Sequence, residues 1–510
     1  MKKIIIISVI IFRPIFSFSQ NPGDITFQSA IVHDINITFT EPNYWDSLMY
    51  YKQYADSFNL STQPMMANVI IDGTTINSIG VSLKGNSSFG YPGQKKPIKL
   101  SFNEYVSGQR FDGLKTIILN NNFFDPTYMR EKLMLDFLNE KGLPAPRCTY
   151  AKVSYNGLYV GLYKLIEPID KIFLDTHYGD HSGNLFKGDP QGTLIWINNV
   201  DSSYYNFYEL HTNTAVNDWS DLVNFIYNIN NTPVTEFYDT METNFNTTTF
   251  IKQWASRNLF VDLDAYFHSP HNYYLYHNII TNKFEWVTWD ISVSFGVYLF
   301  MSEDSIENTS VLMSGPPLTQ GMLNDATYKT TYLNAICEYL DYFSNAVLDP
   351  KIDSIANVIR PHVYAEPDSN QQFPEFMFES GMDTFSIVNP MVVIPGLKKF
   401  ITNRRNNVIN ELALLPFTCT VGIEDLTNLK VNVKIYPNPF SNSTTLEIQT
   451  GTLTNYELKI YDIHGSEVHP EIIRNSDSFV ISRSNLTSGM YFYRVKDNKQ
   501  FISSGKFIIE

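Results

Sequence analysis

Three stretches of the chain hold side chains whose types and spacing could do chemistry. Between His271 and Gly296, a polar pair (His271-Asn272) opens one aromatic run, Tyr273 to Tyr276, and a carboxylate, Asp290, follows a second, Phe284 to Trp289. With a turn at Thr281-Asn282-Lys283, the pattern predicts two β-strands that deliver an amide and a carboxylate to their ends. Hard oxygen donors on rigid supports suit a metal–phosphate site; the same residues would also serve a core hairpin whose Asp290 caps the next turn. Upstream, Gly85 and Gly90 frame a small polar loop, and Lys95, Lys96 and Lys99 follow on a strand with Ile98 and Leu100 on its opposite face. The glycine spacing is half of a P-loop, but Tyr91 stands where the lysine belongs, so the Walker motif fails. A Gly- and Ser-rich turn near strand lysines can cradle phosphate through backbone N–H groups, or be an ordinary hairpin turn with solvated lysines. Asp262-Leu263-Asp264 has the D-x-D spacing of a sugar-nucleotide transferase, without the alternating strands and helices of a Rossmann-like fold beside it. The hydrolase signatures G-x-S-x-G and H-E-x-x-H are absent.

The elements that must position these residues read as α+β, strands first and helices later, over roughly 390 residues. Asp24 to Phe39 is extended, Tyr44 to Ser57 is an amphipathic helix, and Asp72-Gly73 and Asn156-Gly157 are hairpin turns. Leu114 to Leu119 is a strand, Pro126 opens a helix that runs to Asn139, and Asn184 to Gly188 ends a further strand. Helices follow at Trp219 to Asn228, Thr247 to Ala265, Tyr328 to Leu348, Ile352 to His362 and Gly396 to Leu415. An aromatic content of 15% with 17% charged residues marks a packed globular chain. A net charge of −15 without a Lys/Arg run argues against a nucleic-acid partner. Lys2-Lys3, the apolar Ile4 to Ile11 and the small or polar Ser17 to Gln20 read as a secretory signal over 1–20, interrupted by Arg13 in a way that argues against a membrane anchor. Losing it brings the charge to about −18. Cys148, Cys337 and Cys419 are too few for a disulfide framework; they read as buried thiols, with one bridge possible.

Several ordered blocks resemble the CotH-type (spore coat protein H-like) atypical protein kinases. They are Lys84 to Ser88, Lys95 to Leu100, Met129 to Leu133, Asn156 to Tyr163 with Glu167 and Asp170, Gly183 to Lys187, His271 to Tyr276, and Trp289-Asp290. They span about residues 30 to 405 in the family's order. The resemblance implies a reduced kinase-like fold that transfers phosphate from ATP, with Mg²⁺ or Mn²⁺, to Ser/Thr of a protein acceptor. It implies Asp290 as the metal-binding carboxylate with Asn272 as a second ligand, and Asp264 as the catalytic carboxylate. Lys99 would meet the phosphates and be oriented by Glu131, Lys187 is a second candidate cation, and Glu167 falls where adenine would be met. Two positions depart from the family's pattern: Ser292 stands where Trp-Asp-x-Asp has its second Asp, and Lys84 replaces an Arg. A neutral Ser292 holds a cation less strongly, which keeps open a catalytically inactive relative acting as a surface structural or binding protein.

The last part is separate. Residues 419–430 read as a linker, and 431–510 as a β-sandwich of short strands in which Tyr491, Tyr493 and Val495 share the buried face. This module resembles the type A sorting domain of the Bacteroidota type IX secretion system, in Tyr436-Pro437-Asn438-Pro439, the Tyr461 to Gly465 turn, Leu486 with Ser488 to Tyr491, and Gly505-Lys506-Phe507. It implies transit of the outer membrane by that machinery, ending in secretion or surface attachment.

Overall fold

Alternating apolar residues build the first third of the chain into a closed barrel. The computed structural model describes residues 21–28, 31–58, 60–91, 93–367, 374–383, 386–388, 392–419, 432–449, 456–462, 467–475, 478–484, 486–497 and 500–510. The expected signal segment, most of the expected linker and residues 463–465 of the expected turn lie outside them. Seven strands, β1 (Val32–Thr38), β2 (Met65–Ile71), β3 (Thr74–Leu83), β4 (Ile98–Ser101), β5 (Thr116–Asn120), β6 (Cys148–Tyr155) and β7 (Leu158–Ile166), run in the order β1-β2-β3-β4-β5-β7-β6. The ring closes where β1 lies parallel to β6, Val32 opposite Tyr150. Ile35, Ile37, Val69, Ile71, Val81, Ile98, Leu100 and Val153 fill the interior. Asp72-Gly73 and Asn156-Gly157 all have positive φ (49°, 83°, 49° and 82°), as the two hairpin turns require.

The helix expected from Pro126 starts later, at Arg130, and runs to Glu140. Asn122, Phe124 and Tyr128 have positive φ, and the Asp125 carboxylate accepts the Thr127 and Arg130 backbone N–H groups at 3.1 and 3.0 Å, so the segment before Arg130 is a side-chain-bonded turn. Past β7 a four-stranded sheet runs β11-β10-β8-β9, from β8 (Leu185–Gly188), β9 (Tyr208–Leu210), β10 (Tyr273–Asn278) and β11 (Lys283–Thr288). Helices pack on it around Phe137, Phe250, Trp254, Phe260, Tyr332 and Phe400. The helix expected to reach Ala265 stops at Leu259, because Val261 turns left-handed (φ 48°) and Asp262 folds back onto the helix. The expected pair Tyr328 to Leu348 and Ile352 to His362 divides instead as Ala326–Tyr342 and Asn345–Tyr364.

Cys337 and Cys419 form a disulfide, while Cys148 is a buried free thiol. Cys419, read as the first linker residue, is thereby part of the first of two compact units, which divide after Thr420. In the second unit, two four-stranded sheets share a core of Leu446, Ile460, Phe479, Ile481, Tyr491, Tyr493, Val495 and Phe507. Among the described residues no helix is long and apolar enough to cross a membrane.

Candidate functional site

The β10–β11 hairpin sets the register of the site. Tyr273 lies opposite Thr288, and the Trp289 N–H donates to the Asn272 carbonyl at 3.1 Å, so Asn272 and Asp290 emerge at the same end. Both are left-handed (φ 61° and 46°), a conformation that surrounding contacts must hold for a residue with a Cβ. Asn272 Nδ2 donates to the Asp264 main-chain oxygen at 2.9 Å and to its Oδ2 at 3.0 Å. His271 Nε2 meets Asp264 Oδ1 at 2.8 Å. Burial works against a charged His271, but the Asp264 hydrogen bond and charge outweigh it and hold the imidazole above its usual pKa. Burial would raise Asp264, yet His271, Arg257 and Asn272 together keep it below the ordinary carboxylate value. Ser292 Oγ donates to Asp290 Oδ1 at 2.9 Å: the residue that replaces the family's second aspartate supports the first.

Lys84 lies near Asp290, and Lys187 near Lys84. Lys84, at the exit of β3, is half-buried; its ammonium donates to the neutral Asn120 Oδ1 at 3.3 Å and lies 5.9 Å from the centre of the Trp289 ring. Burial lowers its pKa, with Lys187 and Lys99 pushing the same way against Asp290 and Glu131. Lys187, on β8, pairs with Asp189, and its pKa is raised against the cost of burial by Tyr274, Asp189 and Glu209.

The other expected lysines do other work. Lys95 is buried on Glu366 at 2.6 Å, whereas Lys96 donates to the carbonyls of Phe89 and Tyr91 and so holds the end of the glycine loop. Lys99 is exposed on β4, and the expected Lys99–Glu131 pair is not made. Glu131 pairs with Lys164 of β7 at 3.1 Å, in a fully buried cluster with Asp125 at 3.7 Å from the same ammonium. Strand alternation explains the difference: Lys99 points outward between the inward-facing Ile98 and Leu100. Glu167, expected where adenine would be met, is paired with Arg147 through both carboxylate oxygens, at 2.7 and 2.9 Å. Asp262 is fully buried on Arg257 and its carboxyl is pushed up to about 6 by burial, which Arg257 opposes and Asp264 and Asp290 reinforce. The D-x-D pair therefore offers only Asp264, which removes the basis for a sugar-nucleotide site.

Lys164 and Arg257 were not singled out from the sequence. A lysine inside the apolar run Leu162-Tyr163-Lys164-Leu165-Ile166 is a legible signal, because lysine is almost never fully buried without a partner. Arg257 has no such signal. Among the described residues no three or more His, Cys, Asp or Glu side chains converge as a metal cluster.

Residues 81–408 match the family model described as CotH kinase protein, and residues 434–510 match the secretion system C-terminal sorting domain. The chain is 25% identical over 291 residues to the inner spore coat protein H of Bacillus subtilis strain 168, covering 56% of this chain and 77% of that one. It is 24% identical over 328 residues to invasin CotH3 of Rhizopus delemar, covering 58% of this chain and 52% of that one. The twitchin kinase region of C. elegans aligns at 8% identity over 93% of this chain and 79% of that one with a TM-score of 0.19, too loose to bear on the fold. The sorting domain indicates secretion to the cell surface by the type IX route. With a match that spans most of its first unit, this chain belongs to the CotH family.

Proposed function

We propose that the chain is an exported atypical protein kinase that transfers phosphate from ATP to Ser or Thr of surface or secreted proteins. The observation that carries this reading is the meeting of Asn272 and Asp264 beside Asp290 at one end of the hairpin, with the half-buried ammonium of Lys84 near Asp290. The donor set fits Mg²⁺ or Mn²⁺ with a nucleotide: such ions use one or two protein oxygens and take the rest from phosphates and water. Because Asn272 spends its Nδ2 on Asp264, its Oδ1 is left to act with the Asp290 carboxylate as metal ligand. Bound there, the metal would neutralise charge on the phosphate oxygens. Lys84 and Lys187 would hold phosphates as point charges, Asp264 would orient the acceptor hydroxyl and accept its proton, and His271 would keep that carboxylate ionised.

Ser292 supports a second reading, an inactive relative that acts as a surface binding protein, because a hydroxyl adds no charge to the metal site. Intact mass of the mature chain after incubation with ATP and Mg²⁺ or Mn²⁺, beside Asp290→Ala, separates the two. A phosphate-sized gain in the parent that Asp290→Ala lacks supports the kinase. Nucleotide binding without any gain, on itself or on added surface proteins, favours the inactive reading, and neither binding nor gain removes the kinase reading altogether.

A further inference from the structure

We infer that Arg257 is the positioning residue of this site: one buried guanidinium, oriented by Asp262, fixes the backbone of the three segments that present Asp264, Asn272 and Asp290. The inference rests on the kinase reading above. Arg257 is 3% exposed and belongs to the Thr247–Leu259 helix, not to any of the segments it holds. Its Nε and Nη2 donate to Asp262 Oδ2 at 3.0 and 2.7 Å. Nη1 reaches the Asn272 carbonyl at 2.8 Å, Thr288 Oγ1 at 2.7 Å and the Trp289 carbonyl at 3.3 Å. Nη2 makes longer contacts to the carbonyls of Asp264 at 3.5 Å and Asp290 at 3.4 Å.

The need for such a fixture follows from the backbone. Asn272 and Asp290 are both held at positive φ, and conformations of that kind persist only where the surroundings over-determine them. Arg257 donates to the carbonyl of each. Only a planar fork of five N–H groups can serve a carboxylate and several diverging carbonyls at once; a lysine has three donors at one point. Asp262, fully buried with its charge against Arg257, neutralises the guanidinium and sets its plane. Arg257 itself points no group at the nucleotide; it acts through the residues it holds.

The test uses the full mature chain, Arg257→Lys, and the double variant Arg257→Met with Asp262→Leu. The double change removes both charges together, so no buried ion is left unpaired to unfold the protein. Three readouts are taken: ATP binding without metal, kcat and KM for transfer, and amide hydrogen exchange. The expected result is metal-free ATP binding within about threefold of the parent and a kcat lower by about 100-fold, the scale of a 1 Å misplacement, with a much smaller change in KM. Exchange should quicken in 262–273 and 288–294 while the barrel strands keep parental protection, and Arg257→Lys should show the same pattern without rescue. Parental exchange in those two segments, a parental kcat in either variant, or a uniform loss of protection across the chain would overturn the inference. If the parent neither binds nor transfers, the kinase reading falls by itself, and the exchange comparison alone still decides whether Arg257 holds these segments.

Discussion

At Lys84 a positive charge is half-buried against an amide oxygen and an indole face, with Asp290 nearby but not within ion-pairing distance. A cation so placed is costly unless something anionic joins it. Lys84→Met should weaken ATP binding about tenfold, ~1.4 kcal/mol, while Lys99→Met should leave it nearly unchanged; calorimetric titration of both variants checks this. Ser292→Asp should tighten Mn²⁺ binding by about three- to tenfold, since it adds a charge beside Asp290, and paramagnetic titration reads it directly. At this scale the sequence showed that Asn272 and Asp290 lie at one end of a hairpin, because a hairpin brings its own flanks together and that geometry is local; Asp264 was named through the family resemblance. It did not show which lysine faces them. Lys84, Lys95, Lys96 and Lys99 lie within 16 residues, and their fates were divided by strand alternation and by Glu366, far along the chain.

The first two residues of the Arg130–Glu140 helix tie it to β7 and to the segment after Asp290. Glu131 meets Lys164, and Arg130 Nη1 donates to the Phe295 carbonyl at 2.8 Å while Ser294 Oγ donates back to the Arg130 carbonyl at 3.2 Å. The helix start and the segment after Asp290 are thus one mechanical piece. Glu131→Gln leaves the buried Lys164 ammonium with only Asp125, at 3.7 Å, so it should cost about 3 kcal/mol, the low end for a broken buried pair, visible as a lower denaturant midpoint with little change in slope. The body of the helix was legible, and its expected end at Asn139 falls one residue short of the observed Glu140. Its true start was not, because the Asp125 side chain, bonding to the Thr127 and Arg130 N–H groups, keeps Pro126 to Met129 out of the helix.

Over the whole chain, the Cys337–Cys419 bridge closes a loop of 82 residues and ties the end of the first unit to the Ala326–Tyr342 helix. Cys419→Ser should lower stability by about 2–4 kcal/mol, and the parent in reducing buffer should fall to the same midpoint. Three cysteines in the sequence leave the pairing open, since Cα distances and not spacing decide which two can meet. The α+β content and the C-terminal module could be read from local patterns, whereas the barrel could not, because its closing contact joins Val32 to Tyr150, far apart in the chain. That contact governs the order of events in assembly. β1 can pair with β2 at once, but its other edge waits for β6 and for everything made between them. Folds dominated by such distant pairings form slowly, since the loop must close before any contact rewards it.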